Sequence, residues 1–118
     1  MSSPQDCFNE VVTHLRKQNL VSRDEHSQCL YRGPHGLKCA IGILIPDEEY
    51  DKKFEGMTPY DKNKNQPIFR NIRDKYKVKN RFLLDLQSIH DEYEVEDWEE
   101  QFQNFAFKYR LTLPEKTQ

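Results

Sequence analysis

Cys29, His35, Cys39, His90 and Asp91 are among the side chains of this sequence that could hold a metal or move a proton, and three of them fall in the window 29–39. Taken as ligands, Cys29, His35 and Cys39, completed by His26 or His90, would make a zinc site. The spacing is poor for it. Structural zinc sites draw their ligands in close pairs such as Cys-x2-Cys, whereas nine residues separate these two cysteines and neither has a partner beside it. Taken as a nucleophile, Cys29 or Cys39 would need His35 or His90 as base and Asp91 or Asp85 to orient it. Cys39 opens an apolar run, where burial raises a thiol's pKa, and nothing local marks an oxyanion hole. No cofactor and no metal is therefore expected, with Cys29, His35 and Cys39 as the weaker alternative.

The same window suggests anion recognition. All four glycines lie between Gly33 and Gly56, and Arg32-Gly33-Pro34-His35-Gly36-Leu37-Lys38 sets three cationic side chains around a glycine turn. Backbone N–H groups freed by such a turn would supplement them around a compact anion. It is neither a Walker loop nor a dinucleotide fingerprint. The expected ligand-binding set is Arg32 and Lys38 for charge, the Gly33 and Gly36 N–H groups for close contact, Tyr50 for stacking, and His35, Glu55, His90 and Asp91. The competing reading is a turn whose cations answer Asp47, Glu48 and Glu49.

What must position these groups is mainly helix. A chain of 118 residues with seven Phe, six Tyr and one Trp fits one globular domain over 1–118, with a flexible tail at 114–118. Ser3-Pro4-Gln5-Asp6 starts a helix that runs to about Gln18 and buries Phe8, Val11, Val12 and Leu15. Ser22 precedes Glu25 at capping-box spacing and suggests a further short turn. Residues 28–38 read as a small β-hairpin around the turn 33–36. The run 39–45 reads as a short buried helix ending before Pro46, and 58–67 as the longest and most mobile loop. Apolar stripes at helical spacing then predict helices from Pro67 to about Tyr76, Val78 to about Asp91 and Val95 to Tyr109, the last burying Trp98, Phe102, Phe105, Ala106 and Tyr109. The fold class is thus mainly α with minor β, a bundle of four to five helices with one hairpin.

The formal net charge of −2 conceals a polarity: residues 62–81 carry eight Lys or Arg against one Asp, and 85–100 carry eight acids without a Lys or Arg. Mutual neutralisation of adjacent helices is the favoured explanation, a face for a charged partner the other. Duplex nucleic acid is disfavoured, because binding it requires net neutralisation of phosphates. No apolar run is long enough to span a bilayer and no signal peptide opens the chain, so a cytoplasmic protein without a membrane partner is expected. Three cysteines in a reducing compartment predict free thiols.

Tyr31-Arg32-Gly33, Gly36, Cys39-Ala40-Ile41-Gly42, Leu44-Ile45-Pro46-Asp47, Tyr50, Glu55-Gly56, Leu86-Gln87 and His90-Asp91 together resemble a pattern in small proteins of phages and prophage-bearing bacteria. The resemblance covers most of the chain. It implies an accessory role in the host cytoplasm, disabling host machinery or sequestering a host signal, and carries over no catalytic residues. The expectation is a non-enzymatic host-evasion protein that binds a host protein or a small anionic, nucleotide-like signal stoichiometrically. The alternative is a small hydrolase or nuclease using His90 and Asp91 with His35 or Glu55, with or without a metal. A homo-oligomeric module is a third reading.

Overall fold

The computed structural model describes residues 2–25, 28–60 and 62–116. Its α-helices are α1 (Pro4–Gln18), α2 (Ala40–Leu44), α3 (Pro67–Tyr76), α4 (Asn80–Glu92) and α5 (Trp98–Tyr109), joined in part by single 3-10 turns at Pro34–Gly36, Asp47–Glu49, Lys52–Phe54 and Val95–Asp97. α1 starts as its sequence dictates: the Ser3 hydroxyl accepts the Asp6 N–H, the Asp6 carboxylate accepts the Ser3 N–H, and Pro4 occupies the first turn. Asn19, left-handed at φ 53, ends it. Cys7, Phe8, Val11, Val12 and Leu15 form its buried stripe.

The core gathers around α2, which packs against both α1 and α4. A Cβ on Gly42 would lie 2.3 Å from the Tyr31 carbonyl oxygen, so glycine lets the preceding chain pass directly over this helix. α5 closes the other side, with the Phe105 ring stacked on Phe8 at 5.1 Å and meeting Phe82 edge-on at 4.9 Å. Trp98 is buried, and its indole N–H donates to the Tyr93 carbonyl. Burying each such aromatic contributes about 1.5–3 kcal/mol before entropy is counted.

The mainly helical expectation holds, but the hairpin at 28–38 does not form. The described residues contain one isolated antiparallel bridge, Arg23 to Cys29, so Gln28–Leu30 pairs backwards with 22–24 instead of forwards across the glycines. The reason lies in where the donors go. Leu30 N–H donates to the Ser22 carbonyl, and the N–H groups of Tyr31 and Arg32 both donate to the Glu55 carboxylate. The other arm is taken as well, since the Gln18 amide accepts the Lys38 N–H and donates to its carbonyl, both at 2.9 Å. The Ser22 hydroxyl donates to the Leu30 carbonyl.

The tail is anchored as far as Pro114, whose carbonyl accepts from Arg16, while Gln5 pairs its amide with the Thr112 backbone in both directions. Residues 117 and 118 lie outside the described residues, as does Asp61 of the 58–67 loop. Among the described residues no helix is long and apolar enough to cross a membrane.

Candidate functional site

At the glycine bend, Arg32 and Lys38 come together, but on partners within the chain. Arg32 donates to the Gly42 carbonyl at 2.7 Å, to the Ile45 carbonyl at 2.8 Å and to Asp47 at 2.9 Å, with its guanidinium over the Tyr50 ring at 5.1 Å. Lys38 lies 3.6 Å from the same Asp47 oxygen. Glu55 accepts the two backbone N–H groups and the Tyr50 hydroxyl, whose pKa burial and this carboxylate push up to about 12. His35 is exposed and left-handed at φ 59, followed by Gly36 at φ 77, which turns the chain. Gly33 answers a different demand: a Cβ there would meet the Ser22 hydroxyl oxygen at 2.3 Å.

His90 and Asp91 sit elsewhere, at the end of α4, and there the fold makes a second grouping. One ligand atom each of Cys29, His90 and Asp91 lies within 4.8 Å of the others. His90 is fully buried beside the Trp98 ring. Its Nε2 faces the Ser22 N–H at 2.8 Å and its Nδ1 faces Asp91 at 2.8 Å. A backbone N–H can only donate, so Nε2 accepts and the ring proton sits on Nδ1, donated to Asp91. That tautomer is wrong for a metal centre. A ligating histidine gives the proton of its second ring nitrogen to an acceptor, and here that nitrogen meets a donor. His35 and Cys39, expected beside Cys29, stand outside the grouping, and His26 lies outside the described residues.

The thiols are equally committed. Burial and the neighbouring Asp91 carboxylate raise Cys29 to about 11; burial takes Cys7 and Cys39 to about 12. Near pH 7 all three are protonated and poor nucleophiles. Sequence reasoning gave no site role to the two residues that hold His90 and Asp91 in place: Ser22 through its N–H, and Gln87, whose amide donates to Asp91 and accepts the Ile41 N–H at the start of α2. A glutamine one helical turn before Asp91 was the available signal.

A groove of about 1080 Å³ runs between the last turns of α1 and the start of α5, lined by Val95 and the buried Trp98 and Phe102 and by charged residues of both signs, among them Lys17, Lys116, Glu96 and Glu115. Within it Arg16 grips Glu99 with two bonds of 2.8 Å, and the hydrogen bonds and charge of that guanidinium hold the Glu99 carboxyl below its ordinary range. A groove of about 470 Å³ flanks α1 on the Ile43 side, and one of about 310 Å³ lies between α4 and α5. None of the three is lined by Arg32, His35, Lys38, Tyr50 or Glu55.

The two charge blocks stay largely apart. Among the described residues Arg81 to Asp85 is the ion pair that joins them, at 3.2 Å, and Asp85 also takes Lys108 from α5. Burial opposes ionisation of Asp85, but hydrogen bonds from Lys108 and Tyr109 and the adjacent cations outweigh it and lower its pKa. Glu92, Glu94, Glu96, Asp97 and Glu100 are exposed and form no ion pair with a described residue. Compared with family models, with curated proteins and with solved structures, the chain matches none of them.

Proposed function

We propose that this protein works by stoichiometric binding of a host protein, in the phage-accessory setting that the sequence resemblance implies, and not by turnover. The observation that carries the reading is the internal commitment of its reactive groups. The thiols are held protonated, His90 spends both ring nitrogens on Ser22 and Asp91, and Arg32 is spent on α2, Asp47 and Tyr50. What the fold leaves exposed includes the run of acids Glu92, Glu94, Glu96, Asp97 and Glu100, unpaired among the described residues, a surface suited to a partner of opposite charge. A small anion fits the bend less well, because its two principal cations already share Asp47.

The test is native mass spectrometry of the protein taken directly from host lysate. A protein partner retained at one copy per chain supports the reading. A retained nucleotide-sized anion lost on Arg32→Ala with Lys38→Ala would instead place recognition at the bend. The rival, a hydrolase or nuclease built on His90 and Asp91 with His35 or Glu55, draws on the proximity of Cys29, His90 and Asp91. Consumption of excess substrate by substoichiometric protein, abolished by Asp91→Asn in a folded variant, would overturn the binding reading.

A further inference from the structure

We infer that the basic face where α3 hands over to α4 docks the acidic shoulder of a second copy of this chain, so that copies associate head to tail. α3 turns Ile68, Phe69, Ile72 and Tyr76 into the core. Arg70 on its outer side, and Lys77 and Lys79 in the link to α4, are exposed and form no ion pair with a described residue. Asp74 is the one acid between residues 62 and 81. The complement of this face lies on the same molecule. Glu92, Glu94, Glu96 and Asp97 are exposed and equally without an ion pair to a described residue. Tyr93, 39% exposed between the first two, offers a ring face to an incoming cation.

α4 keeps the two surfaces apart. Its 13 residues put about 18 Å between its ends, more than twice the roughly 8 Å over which exposed charges are felt at physiological salt. The arrangement also runs against the helix's own field, which favours acids at a helix start and cations at its end. α4 has Lys79 and Arg81 at its start with no acid in the first turn, and Asp91 and Glu92 in its last turn. Arg23, donating to the Asp91 carbonyl at 3.1 Å, serves the last turn from outside the helix. Both ends cost the isolated chain stability, and seating the acidic end of one α4 against the cationic start of the next relieves both in a single contact. Such a contact leaves one face free on each outer copy, so it continues into a ring or a chain. The formal net charge of −2 adds little repulsion between copies. A cationic host protein on the same acids would compete with the second copy. The inference does not rest on the binding reading, and its failure leaves that reading intact.

The test is sedimentation velocity of the purified chain from about 0.01 M salt, where charges are felt over about 30 Å, to about 1 M, where their reach is about 3 Å. The chain is expected to sediment as a concentration-dependent oligomer at the low end and as a monomer at the high end. Lys77→Glu with Lys79→Glu, or Glu92→Lys with Glu94→Lys, should each leave a monomer throughout, and an equimolar mixture of the two variants should associate again. Glu48→Lys with Glu49→Lys, exposed acids of the Asp47–Glu49 turn, changes net charge as much as the second variant and should leave association unchanged. Each reversal sets charge in the order the helix field favours, so both variants should melt no lower than wild type at a concentration where wild type is monomeric. A wild type that stays monomeric at low salt, an oligomer indifferent to salt or to either reversal, a mixture that stays monomeric, or a control that loses association as fully, would each overturn the inference. Reversals that melt lower would also overturn it, because the charges would then serve the chain's own fold. Nucleic acid carried through purification and released by the Lys77 and Lys79 reversal would assign the basic face to that ligand and remove it from self-docking.

Discussion

Arg32 illustrates how one side chain can look like a ligand clamp and serve the backbone. α2 has five residues, too few to hold itself, and its last carbonyls need donors from outside. The guanidinium supplies them to Gly42 and Ile45, with Tyr50 covering its face and Asp47 balancing its charge. Arg32→Ala is therefore expected to cost about 2–3 kcal/mol of stability, read from urea denaturation, since it removes charge-assisted bonds to buried carbonyls. Arg32→Lys should recover less than half of that, because an ammonium keeps the attraction to Asp47 without the planar fork that spans two carbonyls. If both variants unfold at the wild-type midpoint, the guanidinium does not hold α2.

At the scale of elements, Gly42 is the tightest junction. A methyl at this position meets the Tyr31 backbone at 2.3 Å, and a backbone atom cannot rotate away as a side-chain tip can. Gly42→Ala should therefore cost about 2–3 kcal/mol in a urea melt, despite alanine's better helix propensity. An unchanged or raised midpoint would show that residue 31 can lift from α2. The helices themselves were legible because burial follows a period written in the residues: Phe8, Val11, Val12 and Leu15 in α1, or Trp98, Phe102, Phe105 and Ala106 in α5. The segment 28–38 was not, because its pairing partners are side chains far along the sequence. The Gln18 amide, the Glu55 carboxylate and the Ser22 backbone take the donors and acceptors that a second strand would have used, and no local pattern encodes that substitution. For the same reason the meeting of Cys29 with His90 and Asp91 was conceivable from residue types, whereas the tautomer that decides its chemistry depended on Ser22.

For the molecule as a whole, the acid limb of stability should be set by carboxylates gripped between elements. Arg16 of α1 holds Glu99 of α5, and the Glu99 pKa is lowered from its ordinary 4.5. A group lowered on folding contributes fully above its unfolded value and loses that contribution as pH falls through the folded value. Glu99→Gln should thus melt about 4 °C below wild type at pH 7, corresponding to roughly 1 kcal/mol for a partly exposed bidentate pair. The gap should close as pH falls from about 4.5 downwards. A gap that persists undiminished in acid would assign the loss to packing and not to charge. Asp85, lowered by Lys108 and Tyr109, acts in the same direction between α4 and α5.

The paired bonds between the Gln5 amide and the Thr112 backbone clasp positions 107 apart in the sequence. Tension drawn through the chain before residue 5 and after residue 114 would load that clasp, together with the Arg16 bond to the Pro114 carbonyl, before it reached α5 or the later turns of α1. Once it parted, the first turn of α1 and the stretch after α5 would be set loose together, so the two extremities would fray as a unit and not one at a time.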